Sequence, residues 1–419
     1  MALKHTHDAP DCAFHTAIIE EKLMEEFDAR LENLKQLLSS QSRQSWLFGA
    51  GISFGSKIPL MYPLTSRVER IIEEDSGDRE KEILAALKAD LADDCHVEHY
   101  LSHLGDLLAI ADRSRTRSAY IGANSYASEE LKQLYLEIIK AIGGIIRYGY
   151  VAANAGRAIE EEIGCAENPI VEIEPHCKFI EALLISKSNL EQRSKTTFFT
   201  TNYDTLLEDA LALHKKIVCD GFSGGAVGFW NAENEFSNAA MDSNTYHLYK
   251  LHGSIDWHRD DDLGLVRARY GTKYLSNPAN IMIYPQATKY VETQKDPFAS
   301  LFQGLRKTLM IGQQNTLITC GYSFGDDHIN AEIESALRSD SNQTTVIAFI
   351  QEAPKDGVVI NKTLDAWLRC PKISSRVYVA GERGIYHNST TPLAESDTSK
   401  YIWWRFDGLT QFIRTGDVP

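Results

Sequence analysis

No two of the seven cysteines in this 419-residue chain stand in C-x-x-C spacing; Cys12, Cys95, Cys165, Cys177, Cys219, Cys320 and Cys370 are scattered and odd in number. Neither a disulfide framework nor a zinc ribbon is signalled, and a reducing cytoplasm is the expected setting. Positive charge is also in deficit. Lys plus Arg number 43 against 58 for Asp plus Glu, a net charge of -15, so sequence-independent binding to a phosphate backbone is opposed and no direct nucleic-acid partner is expected. No stretch reaches about 18 uninterrupted apolar residues, and His and Asp stand near the N-terminus where a signal peptide would carry a basic patch and an apolar run. Neither a membrane span nor export is expected. Internal repeats and low-complexity tracts are lacking too.

What the chain does have is ordinary globular material, 43% hydrophobic and 24% charged, enough for one full core or two. Residues 14–40 place Ile18, Ile19, Leu23, Phe27, Leu31, Leu34, Leu37 and Leu38 at helical spacing, predicting an amphipathic helix before the first strand. That strand, Ser45–Phe48, is short and apolar and runs straight into Gly49-Ala50-Gly51. The same grammar recurs at Thr196–Thr200, Ile281–Tyr284, Thr316–Cys320, Val346–Ile350 and Val377–Ala380. It predicts an α/β fold with a Rossmann-like, doubly wound parallel sheet. From about 77 to 192 the strands give way to helical runs, Glu80–Leu91, Val97–Ala111, Ser128–Arg147 and Ala152–Ile163, read as an inserted helical module. Asp220–Asn244, rich in Gly, Asn and Ser, is expected to be a loop or flap. The expected organisation is an N-terminal helical segment at 1–42, a nucleotide-binding domain with its insert at 43–390, and a tail at 391–419.

Four motifs carry the chemistry. In Gly49-Ala50-Gly51-Ile52-Ser53, glycines after a buried strand allow a tight turn and close backbone approach to a pyrophosphate. The third glycine of G-x-G-x-x-G is missing, with Phe54 at that place, which argues against a hydride-transferring dehydrogenase. In Thr200-Thr201-Asn202-Tyr203-Asp204 an apolar strand ends in polar side chains at the sheet edge where ligands bind. Asn202 is able to orient a water or a ribose hydroxyl and Asp204 to accept from a carboxamide; equally, Asn202 opens a turn and Asp204 caps the next helix. His252, in Leu251-His252-Gly253-Ser254, has the titration range of a general base, but His247 and His258 flank it and spacing does not choose among the three. Gly321-Tyr322-Ser323-Phe324-Gly325-Asp326 is a second turn, whose Asp326-Asp327-His328 reads as a helix cap. His96, His99 and His103 have metal-like spacing on one helical face, with no third-ligand type in evidence, so a polar helix face is the simpler account.

In this order the four motifs resemble the sirtuin family, and within it the bacterial sirtuin-like proteins of antiphage defence that hydrolyse NAD+. The resemblance runs from about residue 43 to 385. It implies that Gly49, Ala50, Gly51 and Ser53 hold the NAD+ phosphates and that Asn202 and Asp204 lie near the nicotinamide and its ribose. It further implies that His252 is the catalytic base and that Gly321 and Ser323 contact the adenosine half. NAD+ enters as substrate, and the implied products are nicotinamide and ADP-ribose. Three departures from the deacylating sirtuins stand out: no cysteine between Cys219 and Cys320, hence no expected zinc; Phe54–Met61 in place of Gly-Ile-Pro-Asp-Phe-Arg; and Thr201 in place of Gln. A protein deacylase, an ADP-ribosyltransferase and a silent NAD+ or ADP-ribose sensor are the alternatives. The resemblance also implies a homo-oligomer or a larger assembly with a HerA-type ring ATPase, for which the helical insert and the aromatic run Tyr401–Phe406 are candidate contact surfaces.

Overall fold

The computed structural model describes residues 11–39, 43–186, 196–231, 244–269, 275, 281–283, 296–310, 314–353, 359–396 and 398–419. The chain divides into two compact units, one formed by Ser45–Glu181 and Lys195–Met310, the other by Met1–Gln44, Ala182–Ser194 and Ile311–Pro419. In the first unit the strands Arg43–Phe48, Thr196–Thr200, Thr245–Lys250 and Ile217–Cys219 lie side by side in that order. Thr245–Lys250 is parallel to both neighbours, with Lys250 opposite Thr200 and His247 opposite Cys219. Phe198, Phe199 and Leu248 are fully buried, as strands covered on both faces require. Ring stacking of Phe198 between Phe48 and Tyr246, at 6.1 and 5.8 Å, knits three of the strands together.

In the second unit Asn315–Cys320, Thr344–Phe349 and Val377–Gly381 are parallel and Gly384–His387 returns antiparallel along the edge. The helices Asp327–Arg338 and Lys362–Arg369 are the crossovers between its parallel strands. The fold is thus α/β and Rossmann-like, as the strand grammar predicts. Among the described residues no helix is long and apolar enough to cross a membrane.

The helical module is present. Val97–Arg113 buries Val97, Tyr100, Leu101, Leu104, Leu107 and Ala111 along one stripe, and Ser128–Tyr148 buries Leu131, Leu134, Ile138, Ile142 and Ile145 against it. Three sequence expectations are corrected. Ala152–Ile163 is not a helix: Asn154 and Ile159 exchange backbone hydrogen bonds of 2.9 and 3.0 Å around a turn, and Ile159 and Ile163 are exposed. Asn154 and Gly156 supply turn chemistry there, and without a buried stripe nothing favours a helix. Asp220–Asn244 is not all loop, since Phe222–Gly224 and Val227–Trp230 pair as an antiparallel hairpin with Gly224 at φ +124 in the bend. A glycine there admits a tight turn rather than abolishing strand. The remainder of that expected flap, 232–243, lies outside the described residues. Ile281–Ile283 does not join the parallel strands; it pairs antiparallel with Gly253–Asp260 in a separate five-stranded sheet.

The run Tyr401–Phe406 is largely consumed by its own unit: Tyr401, Trp403 and Phe406 are buried and Trp403 Nε1 donates to the Gly381 carbonyl at 2.7 Å. Ile402 and Arg405 remain exposed and Trp404 half-buried. Replacing Phe198 with Ala should cost about 3–5 kcal/mol through lost burial and a cavity in a close-packed layer, seen as a lower urea midpoint at unchanged slope; a loss under about 1 kcal/mol would contradict its central place.

Candidate functional site

When the Thr196–Thr200 strand leaves its neighbours, its backbone groups must find other partners. Thr201 N donates to the Phe48 carbonyl at 3.0 Å, and Asn202 N to Thr200 Oγ1 at 3.0 Å. The side chains then form a buried chain. Asn202 Nδ2 donates to Ser53 Oγ at 3.0 Å, Ser53 Oγ donates to Asp204 Oδ2 at 2.7 Å, and Asp204 Oδ1 accepts from Leu206 N at 3.0 Å. The two readings of Asp204 are therefore compatible in part, because it serves the first turn of the helix Leu206–Leu213 while facing the first motif. Asn202 Oδ1 is buried with no hydrogen-bond partner. An orphan acceptor of this kind costs about 1–3 kcal/mol and is normally met by water or a ligand donor.

Beside it runs the His252 turn. Leu251 N donates to the Thr200 carbonyl at 2.9 Å, while Ser254 Oγ and Ile255 N both donate to the Tyr203 carbonyl, at 3.2 and 3.0 Å. His252 is held between these tethers, only 4% exposed, and Gly253 at φ +86 makes the bend that a side chain would strain. Structure distinguishes the three histidines that spacing does not. His247 lies within the parallel strand, opposite Thr197. His258 lies in the antiparallel sheet with Nε2 3.0 Å from the Ala268 carbonyl, leaving His252 at the carboxyl edge of the parallel strands.

The first motif forms a short 3-10 turn, Ala50–Ser56, with Gly49 buried, Ala50 exposed and Gly51 half-buried. Ser53, in contrast, turns inward to Asn202 and Asp204. In the other unit Gly321 has φ +65, Ser323 is exposed, and Asp326 caps Asp327–Arg338 through the N–H groups of His328 and Ile329 at 3.0 and 3.3 Å, as its sequence predicts. His96, His99 and His103 do not converge. His99 Nδ1 accepts from His96 N at 3.1 Å, while His103 pairs with Asp90 at 3.2 Å. Among the described residues no group of three or more His, Cys, Asp or Glu is placed to hold a metal ion.

Several residues of the site are not singled out by sequence. Lys250 is buried in the strand that leads to His252, where its ammonium donates to the Asp204 carbonyl and pairs with Glu208 at 2.8 Å. Burial opposes charge on both partners and pushes the Glu208 carboxyl upward. For Lys250 it is outweighed by the carboxylates of Glu208, Asp256 and Asp204, so the ammonium is held charged. A lone Lys in the otherwise strand-like run Tyr246–Leu251 is the signal that would have found it. His176, fully buried on the helix Glu174–Ser186, has Nδ1 3.1 Å from Ser56 Oγ. Its partner is 120 residues away, and nothing local announces it.

Residues 196–368 match the family model described as SIR2-like domain, a span that includes Asn202, Asp204, His252, Gly321 and Ser323 and excludes Gly49–Ser53. Among solved structures that match is a crystal structure of a SIR2 homolog–NAD complex, 10% identical over 92% of this chain and 94% of that chain, with a TM-score of 0.37. No curated protein matches the sequence.

Burial pushes the His176 imidazole down to about 4 from an ordinary 6.5, so protons prefer the unfolded chain. Its contribution to stability is complete above pH 6.5 and is lost as pH falls toward 4. Thermal melts of wild type should therefore fall more steeply over that interval than those of His176→Asn; parallel curves would contradict the burial argument.

Proposed function

We propose that the protein cleaves the nicotinamide–ribose bond of NAD+ with water as acceptor, releasing nicotinamide and ADP-ribose. The observation that carries this reading is the Asn202 amide: its Nδ2 gives one N–H to Ser53, its Oδ1 is buried without a partner, and it stands beside the tethered His252 turn. The SIR2-like match over 196–368 supports the same chemistry. Nicotinamide, cationic while bound, departs as a neutral molecule with the electron pair of the broken C–N bond and leaves an oxocarbenium-like ribose that a site must shield and let a nucleophile reach. Asn202 Oδ1 would accept from the attacking water or a ribose hydroxyl, and His252 would take the proton. Asp204 accepts one bond on each oxygen and keeps a further lone pair on each, through which it would take the carboxamide N–H. The exposed turn at Ala50 and Gly51 would face the phosphates.

His252→Ala should lower nicotinamide release by about 100-fold or more, the usual worth of a general base, and Asn202→Ala should lower it too, with no protein acceptor added. Wild-type rates in both variants would sink the assignment. Release that required an acylated or acceptor protein would instead indicate a deacylase or transferase.

Free NAD+ hydrolysis would deplete a cell's cofactor, so the activity needs restraint. We place this chain, on that ground, as a subunit of an antiphage assembly, as a homo-oligomer or with a HerA-type ring ATPase that engages DNA in place of this acidic chain. Native mass measurement should give a species larger than 47.0 kDa. A fully active monomer that binds no such ATPase would rule this out.

A further inference from the structure

We infer that Tyr203 and Glu98 form a positioning pair through which the helical module sets the geometry of the Asn202 and His252 loops, an inference that rests on the NAD+ reading of that site. Tyr203 lies between Asn202 and Asp204, and its carbonyl is the acceptor for both Ser254 and Ile255 beyond His252. Its phenol points the other way, into the module, and donates to Glu98 Oε1 at 2.6 Å. One residue thus touches three things: the Asn202 loop by covalent connection, the His252 turn by its carbonyl, and the helix Val97–Arg113 by its hydroxyl.

The pair is built to be firm. Glu98 and Tyr203 are 5% and 7% exposed, so water offers the carboxylate little substitute, and a hydrogen bond to an ionised acceptor is roughly twice as strong as a neutral one. Glu98 lies in the first turn of its helix, where the positive end of the helix dipole offsets its charge. Its Oε2 has no hydrogen-bond partner, which leaves the phenol as the carboxylate's side-chain donor. Apolar packing runs the same way, since Tyr203, Leu206 and Ile255 belong to one buried cluster with Leu101, Leu104 and Ile138 of the module. Neither residue needs to touch substrate. Their role is to fix where the Asn202 amide and the His252 turn stand, and a displacement on the order of 1 Å there is enough to cost about 100-fold in rate.

The test measures nicotinamide release together with amide hydrogen exchange over 201–206 and 251–255. Tyr203→Phe keeps the ring and removes the hydroxyl; Glu98→Ala removes the acceptor; Glu98→Gln keeps an oxygen that accepts the phenol. The first two should lower kcat about tenfold with KM for NAD+ within about twofold, and speed exchange in both loops. The Tyr203→Phe, Glu98→Ala double variant should lose no more than either single one, and Glu98→Gln, a weaker neutral acceptor, should fall between wild type and Glu98→Ala. Additive losses, or unchanged kcat and exchange in both single variants, would overturn the inference. If wild type releases no nicotinamide, the hydrolase reading fails, and the exchange measurements alone decide the coupling.

Discussion

A strand that ends inside a protein, rather than at its surface, leaves backbone and side-chain polar groups that water does not reach. At Thr200–Asp204 that demand organises the whole neighbourhood. Phe48, Ser53, Leu251, Ser254, Ile255, Leu206, Lys250 and Glu98 each supply a partner to this five-residue segment. Because each bond is worth about 1 kcal/mol when made and more when broken and buried, the loops around the segment are not free to choose other positions. His252 and Ser53 stand where they do because the strand end needed their neighbours.

Buried charge follows the same logic. Lys250 pairs with Glu208, Asp220 with Arg267 and Glu352 with Arg383, each joining a largely buried group to an opposite charge. Such pairs add little net stability over apolar packing, but losing one partner is severe. Lys250 shows the value of the arrangement. It fastens the carbonyl of Asp204 from the strand that leads to His252, which ties the end of one strand to its neighbour through a buried cation. Beside these pairs, Asn202 Oδ1 is one of several buried polar atoms with no hydrogen-bond partner among the described residues.

Much of the fold was legible because parallel strands buried on both faces read as apolar runs, and long helices carry a stripe. Thr196–Thr200 and Val97–Arg113 are such elements. Short antiparallel strands carry no comparable signal. Phe222–Gly224 and Val227–Trp230 are stabilised by pairing with each other, and the latter also with Gly264–Ala268, so their glycines read as loop until the partners are known. Ile281–Ile283 is apolar in any sheet, and only its partner reveals that the sheet is antiparallel.

Sequence by itself determined which residue types stand at the strand ends: the glycines of the first turn, Asn202 and Asp204 after an apolar strand, a histidine before a glycine, Ser323 in a second turn. These are local facts, set by backbone permissiveness and burial pattern. Tertiary structure alone decided that Ser53, 149 residues before Asn202, closes a chain of hydrogen bonds with it and Asp204, and that Glu98 in the module holds Tyr203. It also separated His252 from His247 and His258. Each of these is a contact between groups far apart in sequence, and the reason is physical: a buried polar atom constrains its partner by distance and angle, not by position along the chain.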